Sequence, residues 1–147
     1  MKFRYHLQKV VDLKSDQKTQ AEWMLSEAIG QLRVEEQSLQ QLSGEKEDLQ
    51  HRISHMQDRT TVAELIGAQQ YVQHLEQQIR DKARDVENAH SEVQQKQTVL
   101  TEKMLDEKVW MKTRERALEK FKADYFKKEQ DALDEMATVR FERHHAR

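Results

Sequence analysis

The sequence predicts an all-α fold, a long antiparallel two-helix coiled coil (a helical hairpin) with an overhanging C-terminal helix. Three observations predict it. Turn-forming residues are scarce, since the 147 residues include three glycines and no proline. Apolar residues recur with heptad spacing in two stretches, and a helix-capping signal lies in the polar segment between them. One turn is therefore expected, which excludes sandwiches, barrels and doubly wound folds because they need many turns.

The composition agrees with a thin, highly charged helical protein. Apolar residues make up 36%, charged residues 35% and aromatic residues 6% of the chain, too little apolar surface for a thick core. Disordered chains usually carry proline and a large net charge, whereas here the net charge is −2. No stretch approaches the ~18 to 20 apolar residues that span a bilayer, so we expect a soluble chain with no direct membrane insertion.

The first helix is predicted over residues 3–57. Steps of four and three from residue 21 to residue 56 visit eleven positions, and nine of them are apolar. Such spacing forms the a/d seam of a coiled coil, which only Glu35 and Lys46 interrupt here. Two glycines lie opposite the seam at f, where each costs ~1 kcal/mol of helix propensity without leaving a hole in the core: Gly30 and Gly44.

The heptad pattern stops after residue 56 and resumes beyond a capping signal. Thr61 and Glu64 have the spacing of a capping box, in which each side chain satisfies a backbone N–H of the other. A turn is therefore predicted at about 58–61 and a second helix at about 62–145, within a single coiled-coil domain of residues 1–147. The second seam consists of Val72, Leu75, Ile79, Lys82, Val86, Ala89, Val93, Lys96 and Leu100.

Charged seam residues select one register of the hairpin. If the numbers of facing residues sum to 121, Lys46 faces Leu75, Glu35 faces Val86, and the other charges of the central seam also meet aliphatic partners. Sliding the helices by one heptad, to sums of 114 or 128, brings lysines together. The sum of 121 is therefore expected.

Pairing is expected to loosen towards the chain ends. In the same register Lys18 faces Lys103, and from Met104 the apolar stripe shifts by four residues, a stutter that locally unwinds a supercoil. Lys120 lies opposite Met1, so roughly 27 residues of the second helix, ~40 Å at 1.5 Å per residue, lack a partner within the chain. An apolar stripe on an unpaired helix usually marks a surface for another chain.

No catalytic constellation is evident. His51 and His55, at i and i+4, could hold a metal, but no third ligand has suitable spacing, and two solvated histidines are the simpler interpretation. Phosphate loops, nucleophile elbows and metalloprotease motifs are absent from the sequence. We therefore expect a non-enzyme with no cofactor and no metal.

Charge is unevenly distributed along the chain. Residues 1–18 carry five basic and two acidic side chains, whereas residues 35–58 carry six acidic and two basic ones. This asymmetry is explained either by ordinary solvated faces or by different partners at the two ends. Residues 112–147 hold ten basic against eight acidic residues, too balanced for a strong phosphate-binding surface, so no nucleic acid partner is expected.

Four segments, in the same order, resemble the flagellar FliJ family. They are the opening Phe3-Arg-Tyr-His-Leu-Gln-Lys-Val-Val-Asp-Leu-Lys14, the Gln-Gln-Tyr-Val-Gln-His-Leu stretch after the turn, the run from Gln95 to Lys103, and Asp134-Glu-Met-Ala137 followed by Arg140. The resemblance covers essentially the whole chain. It implies a component of the bacterial flagellar type III export apparatus, similar to the central stalk of rotary ATPases.

The resemblance also implies partners and a location. The helix ends would enter the ring of the hexameric flagellar export ATPase, and the stalk would contact the cytoplasmic part of an FlhA-type export gate protein. It would promote ring assembly, help couple ATP hydrolysis and the proton motive force to export, and escort export chaperones. The chain is then expected in the cytoplasm, peripherally associated with the cytoplasmic face of the cell membrane, and monomeric when free.

Site residues follow from matching family positions. Export-gate docking is assigned to apolar or aromatic residues near the turn: Leu42, Leu49, Tyr71 and Leu75. Glu45 and Lys82 depart from the family pattern at the edges of this patch. ATPase-ring binding is assigned to the open end: Phe3, Tyr5, Leu7, Val10, Phe121, Tyr125, Met136, Ala137 and Arg140.

Alternatives remain open from the residues alone. Tyr71 either offers an exposed ring for docking or packs across onto the region of Leu49. The whole chain could instead be a scaffolding coiled-coil dimer whose turn is straightened into one continuous helix, or the equivalent stalk of a virulence-type secretion system.

Overall fold

The computed structural model describes residues 2–56 and 60–145 and contains two long α-helices. Helix α1 spans Gln8–His55 (48 residues) and helix α2 spans Val62–His145 (84 residues). The helices pack in antiparallel orientation, and no strand occurs among the described residues. The predicted all-α hairpin is confirmed. Neither helix has a stretch long and apolar enough to cross a membrane in the part of the chain that the structure describes.

Helix α1 begins at Gln8, five residues later than the heptad pattern predicts. Residues 2–5 are not helical, and the Gln8 N–H donates to the Tyr5 carbonyl at 3.1 Å. Phe3 packs against Phe121 of α2 with ring centroids 5.4 Å apart, and Tyr5 is 9% exposed. The packing of Phe3 on α2, together with the burial of Tyr5, therefore holds the N-terminal segment outside the helix.

Helix α2 begins at the predicted cap. The Glu64 N–H donates to the Thr61 hydroxyl at 3.3 Å, and the Leu65 N–H donates to the Thr61 carbonyl at 3.2 Å. The first bond satisfies one of the N–H groups that a helix start leaves open, and the second is the first backbone hydrogen bond of the helix. Of the predicted turn at 58–61, Thr60 and Thr61 lie between the helices as expected, whereas residues 57–59 lie outside the described residues.

The chain divides into two compact units. The hairpin unit is Thr19–Thr101, and the terminal unit combines Met1–Lys18 with Glu102–Arg147. In the hairpin unit the seam residues Ala21, Ala28, Val72 and Leu75 are buried, and Leu75 is 1% exposed. The Lys46 Nζ lies 3.4 Å from the Glu76 Oε1, a pair whose numbers sum to 122, one away from the predicted 121.

One expectation for the hairpin unit is wrong. Glu35 and Lys82 were both expected to face aliphatic side chains, but they bind each other, with 2.9 Å between Lys82 Nζ and Glu35 Oε2. Both side chains are half-buried, where an ion pair satisfies charges that an aliphatic partner leaves unsatisfied. The hydrogen bond from Lys82 lowers the pKa of Glu35, and the same bond raises the pKa of Lys82.

In the terminal unit the same register holds. Lys14 Nζ lies 2.7 Å from Asp106 Oδ2, a pair whose numbers sum to 120. The Arg114 Nε donates to the Gln8 Oε1 at 2.7 Å, and these numbers sum to 122. The registers with sums of 114 and 128 are therefore excluded here.

Two further expectations for the terminal unit are corrected. The side of α2 that faces α1 does not shift by four residues at Met104. Glu107, Trp110 and Phe121 continue the heptad positions of Leu100 and are half-buried. Met104 and Met111, which the shifted stripe would place against α1, are 50% and 46% exposed. Lys18 does not face Lys103 unpaired, because its Nζ lies 3.2 Å from Glu107 Oε1. Lys14 and Lys18 of α1 bind Asp106 and Glu107 of α2, which keeps this side of α2 against α1 and leaves the methionines outside.

Beyond Phe121 helix α2 has no partner from α1. All side chains of residues 122–145, hereafter the overhang, are exposed. The overhanging C-terminal helix is therefore confirmed.

Candidate functional site

An aromatic cluster joins the N-terminal segment to α2 in the terminal unit. Phe3 lies between Tyr5, at 6.3 Å between ring centroids, and Phe121, and the Arg114 guanidinium lies 5.7 Å from the centre of the Phe3 ring. The arrangement combines ring packing with a cation–π contact, each worth about 0.5–1.5 kcal/mol. Of the residues assigned to ring binding, Phe3, Tyr5 and Phe121 therefore already have partners within the chain.

Next to this cluster, polar side chains of α1 bind polar side chains of α2 within the terminal unit. The Ser15 hydroxyl donates to Glu107 Oε2 at 2.7 Å, and the Lys18 ammonium lies 3.2 Å from the other carboxylate oxygen. The hydrogen bond from Ser15, supported by Lys18, holds the pKa of Glu107 below its usual 4.5. Leu7, just before α1, and Val10, in its first turn, were also assigned to ring binding, and both are half-buried.

The overhang carries the remaining residues assigned to ring binding, and all of them are exposed. Tyr125 is 38% and Met136 63% exposed, and Ala137 and Arg140 are also on the surface. Tyr125 forms a hydrogen bond with Glu129, which raises the pKa of the tyrosine. A groove of about 490 Å³ is lined by Ala132, Glu135, Met136, Val139, Arg140 and Arg143. The overhang therefore carries an apolar groove that is bordered by acidic and basic side chains.

The residues assigned to gate docking divide between core and surface. Leu75 is 1% exposed, so its side chain belongs to the seam and is not available to a partner in the free chain. Leu42 and Leu49 are half-buried. Tyr71 is 52% exposed, with its ring centroid 6.2 Å from that of His74, which favours the exposed alternative for this residue.

The histidine pair of α1 makes local contacts. The rings of His51 and His55 lie 4.4 Å apart, and His55 Nδ1 is 3.0 Å from the His51 carbonyl oxygen. Among residues 2–56 and 60–145, no three His, Asp or Glu side chains are grouped closely enough to hold a metal ion.

Comparison with known proteins decides the family. The family model described as "Flagellar FliJ protein" matches residues 2–146. The chain belongs to the flagellar FliJ family. The Flagellar FliJ protein of Bacillus subtilis (strain 168) is 25% identical over 142 residues, which cover 96% of this chain and 97% of that protein. The predicted resemblance is therefore confirmed, and the family makes the chain a component of flagellar type III export.

A solved structure shares the fold. A YscO homolog from Chlamydia trachomatis superimposes with a TM-score of 0.74, at 19% identity, over 99% of both chains. At this identity the likeness shows the helical-hairpin fold alone.

Sequence reasoning assigned no binding role to two residues of the FliJ-family open end. Arg114 anchors the N-terminal segment through Gln8 and Phe3. Leu118 lines a groove of about 380 Å³ together with Phe3, Phe121 and Tyr125. The apolar stripe that shifts at Met104 includes Leu118, so the sequence marks this residue without giving it a binding role, whereas nothing in the sequence marks Arg114, because its partners depend on the non-helical start.

Proposed function

We propose that this chain is the central stalk of the flagellar export ATPase, with a binding role and no chemistry of its own. Its open end enters the ATPase ring, and the end near the turn contacts an FlhA-type export gate protein. In this role it promotes ring assembly and helps couple ATP hydrolysis and the proton motive force to export. The chain is then cytoplasmic and held at the cytoplasmic face of the membrane through the export apparatus.

The exposed overhang carries this proposal. It extends for 24 residues (122–145), which is ~36 Å of helix at 1.5 Å per residue. Its apolar side chains include Met136 at 63%, Leu133 at 61% and Phe141 at 62% exposure. Leaving such side chains in water is unfavourable by about 25 cal/mol per Å² of apolar surface, so a protein partner is the natural occupant. A helix end that projects beyond its partner suits insertion into the opening of a ring.

The proposal gives the assigned ring-binding residues two roles. The buried ring of Tyr5 and the packed ring of Phe3 fix the base of the overhang. Met136, Ala137 and Arg140 are free to meet the ring. Binding energy should therefore depend directly on the overhang and indirectly on the N-terminal segment.

The proposed gate contact centres on Tyr71. Its exposed ring lies just after the start of α2, and aromatic side chains are frequent anchors of protein interfaces. Leu42 and Leu49 would add their half-exposed surface, while Leu75 would act through the seam beneath them. Escort of export chaperones is part of the same proposed role.

Binding and stimulation of the ATPase test the ring contact. The cognate ATPase is assayed for hydrolysis with wild-type chain, with Met136→Asp and with the control Ile66→Asp, which changes an apolar residue of the hairpin unit that is 54% exposed, against 63% for Met136. We expect stimulation by the wild type and the control and its loss in Met136→Asp, with unchanged helicity in all three. Equal stimulation by all three chains, or no binding by any, would contradict the proposal.

The gate contact is tested separately by binding to the isolated cytoplasmic domain of the gate protein. Tyr71→Ala should weaken binding, and Trp23→Ala should not, although Trp23 is the more exposed of the two at 75%. If Trp23→Ala weakens binding and Tyr71→Ala does not, the contact lies on the other helix and the assignment of Tyr71 is wrong.

A further inference from the structure

The first residues of the chain form a strap on α2 in the terminal unit. The strap is residues 2–7, which lie outside α1. Its Phe3 side chain packs on Phe121, the last residue before the overhang. Phe3 also lines a groove of about 380 Å³ whose other lining residues all belong to α2: Leu118, Phe121, Lys122, Tyr125 and Phe126. The strap therefore covers the base of the overhang.

The apolar surface of this groove continues from the strap into the overhang. Phe121 is half-buried and contacts the Phe3 side chain, whereas Tyr125 is 38% and Phe126 64% exposed. A partner that packs along the exposed aromatic side chains towards the hairpin meets Phe3 where it would otherwise cover Phe121. The strap and such a partner therefore compete for one apolar surface.

The start of α1 gives the strap little local support. Helix α2 begins with the capping side chain of Thr61, but the residues directly before α1 are Tyr5, His6 and Leu7, none of which is a favoured cap. The first turn of α1 also contains no acidic residue to interact with the helix dipole. The position of the strap therefore depends mainly on its contacts with other side chains.

These contacts favour and oppose docking at once. The Phe3 ring gains from Phe121 and from the Arg114 guanidinium, which lies 5.7 Å from its centre. Tyr5 is only 9% exposed, and its hydroxyl has no hydrogen-bond partner among the described residues. A buried hydroxyl without a partner is unfavourable, and release of the strap would return it to water. The docked strap is therefore held by aromatic contacts against an unpaired polar atom.

We propose that the strap is an autoinhibitory contact. In the free chain it docks on α2 and covers Phe121, and it is released when the ATPase ring packs on the base of the overhang. Release makes Phe121 available to the ATPase and the Tyr5 hydroxyl available to water. That the ATPase ring is the competing partner rests on the proposed function, whereas docking and opening of the strap do not.

The strap then sets the apparent affinity for the ATPase. A partner that binds only the released chain has its apparent affinity reduced by the released fraction. The partner shifts this equilibrium by its differential affinity for the two states, which the surface of Phe121 supplies here. Changes that tighten the strap should raise the concentration of chain at half-maximal stimulation of hydrolysis. Changes that loosen it should lower that concentration.

Two substitutions in the strap have opposite expected effects. Tyr5→Phe keeps the packed ring and removes the unpaired hydroxyl, so half-maximal stimulation should need about tenfold more chain. Phe3→Ala uncovers Phe121 and should lower the concentration needed. The control is Val34→Ala, at a 54% exposed residue of the hairpin unit, which should leave it unchanged. If the strap instead contributed contacts to the ATPase, Phe3→Ala would raise the concentration, and this result overturns the proposal.

A reversible tether tests release directly. The chain has no cysteine of its own, and residues 2 and 120 are exposed and precede the two packed phenylalanines. Lys2→Cys and Lys120→Cys in one chain are joined by a short bis-methanethiosulfonate linker. The linked chain should need about tenfold more protein for half-maximal stimulation, and reduction of the linker should restore it. The two single-cysteine chains treated with the same reagent are the controls. Equal stimulation before and after reduction overturns the proposal.

Hydrogen exchange of the Gln8 amide measures the strap without the ATPase. The Gln8 N–H donates to the Tyr5 carbonyl at 3.1 Å, and release of the strap breaks this bond. In NMR spectra of the free chain, Tyr5→Phe should slow exchange of this amide about tenfold, and Phe3→Ala should accelerate it. The control is the Leu65 amide at the start of α2, which should exchange equally in all chains. Unchanged exchange of the Gln8 amide in both variants overturns the opening of the strap.

The two kinds of assay separate this proposal from the proposed function. A wild-type chain that fails to stimulate the ATPase contradicts the proposed function, while exchange of the Gln8 amide still decides whether the strap opens. If exchange responds as expected but the wild type, Tyr5→Phe and Phe3→Ala stimulate hydrolysis at equal concentrations, the strap does not compete with the ATPase ring and the autoinhibition is overturned.

Discussion

Truncation of Leu75 to alanine should destabilise the hairpin unit more than any change at an exposed site. Leu75 is the most buried large side chain of the described residues, at 1% exposure. Leu75→Ala removes three carbon atoms, which at ~0.8 kcal/mol each gives ~2.4 kcal/mol of lost transfer free energy. A residual cavity adds to this, so a total of roughly 2.5–4 kcal/mol is expected, within the range for buried leucines.

Thermal unfolding followed by circular dichroism measures the effect. For a chain of this size the expected loss corresponds to a fall in Tm on the order of 10 °C. The control is Leu105→Ala, the same chemical change at a side chain that is 59% exposed, which should shift stability by less than ~0.5 kcal/mol. Similar shifts for the two variants would refute the assignment of Leu75 to the seam. Tyr71→Ala should resemble the control, since its ring is exposed.

Three further predictions follow from the same contacts. Gly30→Ala should raise stability by about 0.5–1 kcal/mol, because an added Cβ meets no atom within 4 Å and alanine favours the helix; unchanged or lower Tm would contradict this. Lys82→Glu should lower Tm, because it places a second carboxylate against Glu35. The double variant Glu35→Lys with Lys82→Glu reverses the two charges and should restore part of the loss. A double variant less stable than both single ones would show that the loss of Tm does not come from this ion pair. Stability should fall in acid, because Glu35 and Glu107 have pKa values below the usual 4.5. Their contribution to the free energy of unfolding is complete above pH 4.5 and is lost as the pH falls through the lowered pKa. Glu107→Gln should therefore make Tm fall less steeply between neutral and acidic pH.

Much of the hairpin could be predicted from the sequence, because coiled-coil seams are encoded locally. Steps of three and four identified the seam that buries Val72 and Leu75, and the Thr61 cap was found from its spacing to Glu64. The scarcity of glycine and proline then limited the number of turns. These signals depend on neighbours in sequence, so no knowledge of distant contacts was needed.

The errors arose where distant polar contacts decide the outcome. Hydrophobicity alone favours Met104 over Glu107 as a seam residue, but Ser15 and Lys18 on α1 bind the glutamate. The late start of α1 has a similar cause, because Phe3 packs on Phe121, far away in sequence. Neither partner choice is visible in a periodic pattern, since it depends on which side chains the register brings together.

The candidate site was only partly predictable for the same reason. The apolar overhang followed from helix lengths, and the structure leaves Met136 and Arg140 exposed as that reasoning requires. The sequence could not predict which of the residues assigned by family resemblance pack against other parts of the chain. Leu75 and Tyr5 are two of these, and both are buried.

The stoichiometry of the complex with the ATPase tests the central claim most directly. A stalk on the axis of a ring predicts one chain for each hexameric ring, whatever the excess of chain, and loss of the complex in Met136→Asp. Native mass spectrometry of the assembled complex measures this ratio. One chain bound per ATPase subunit, or a complex that tolerates Met136→Asp, would contradict the account.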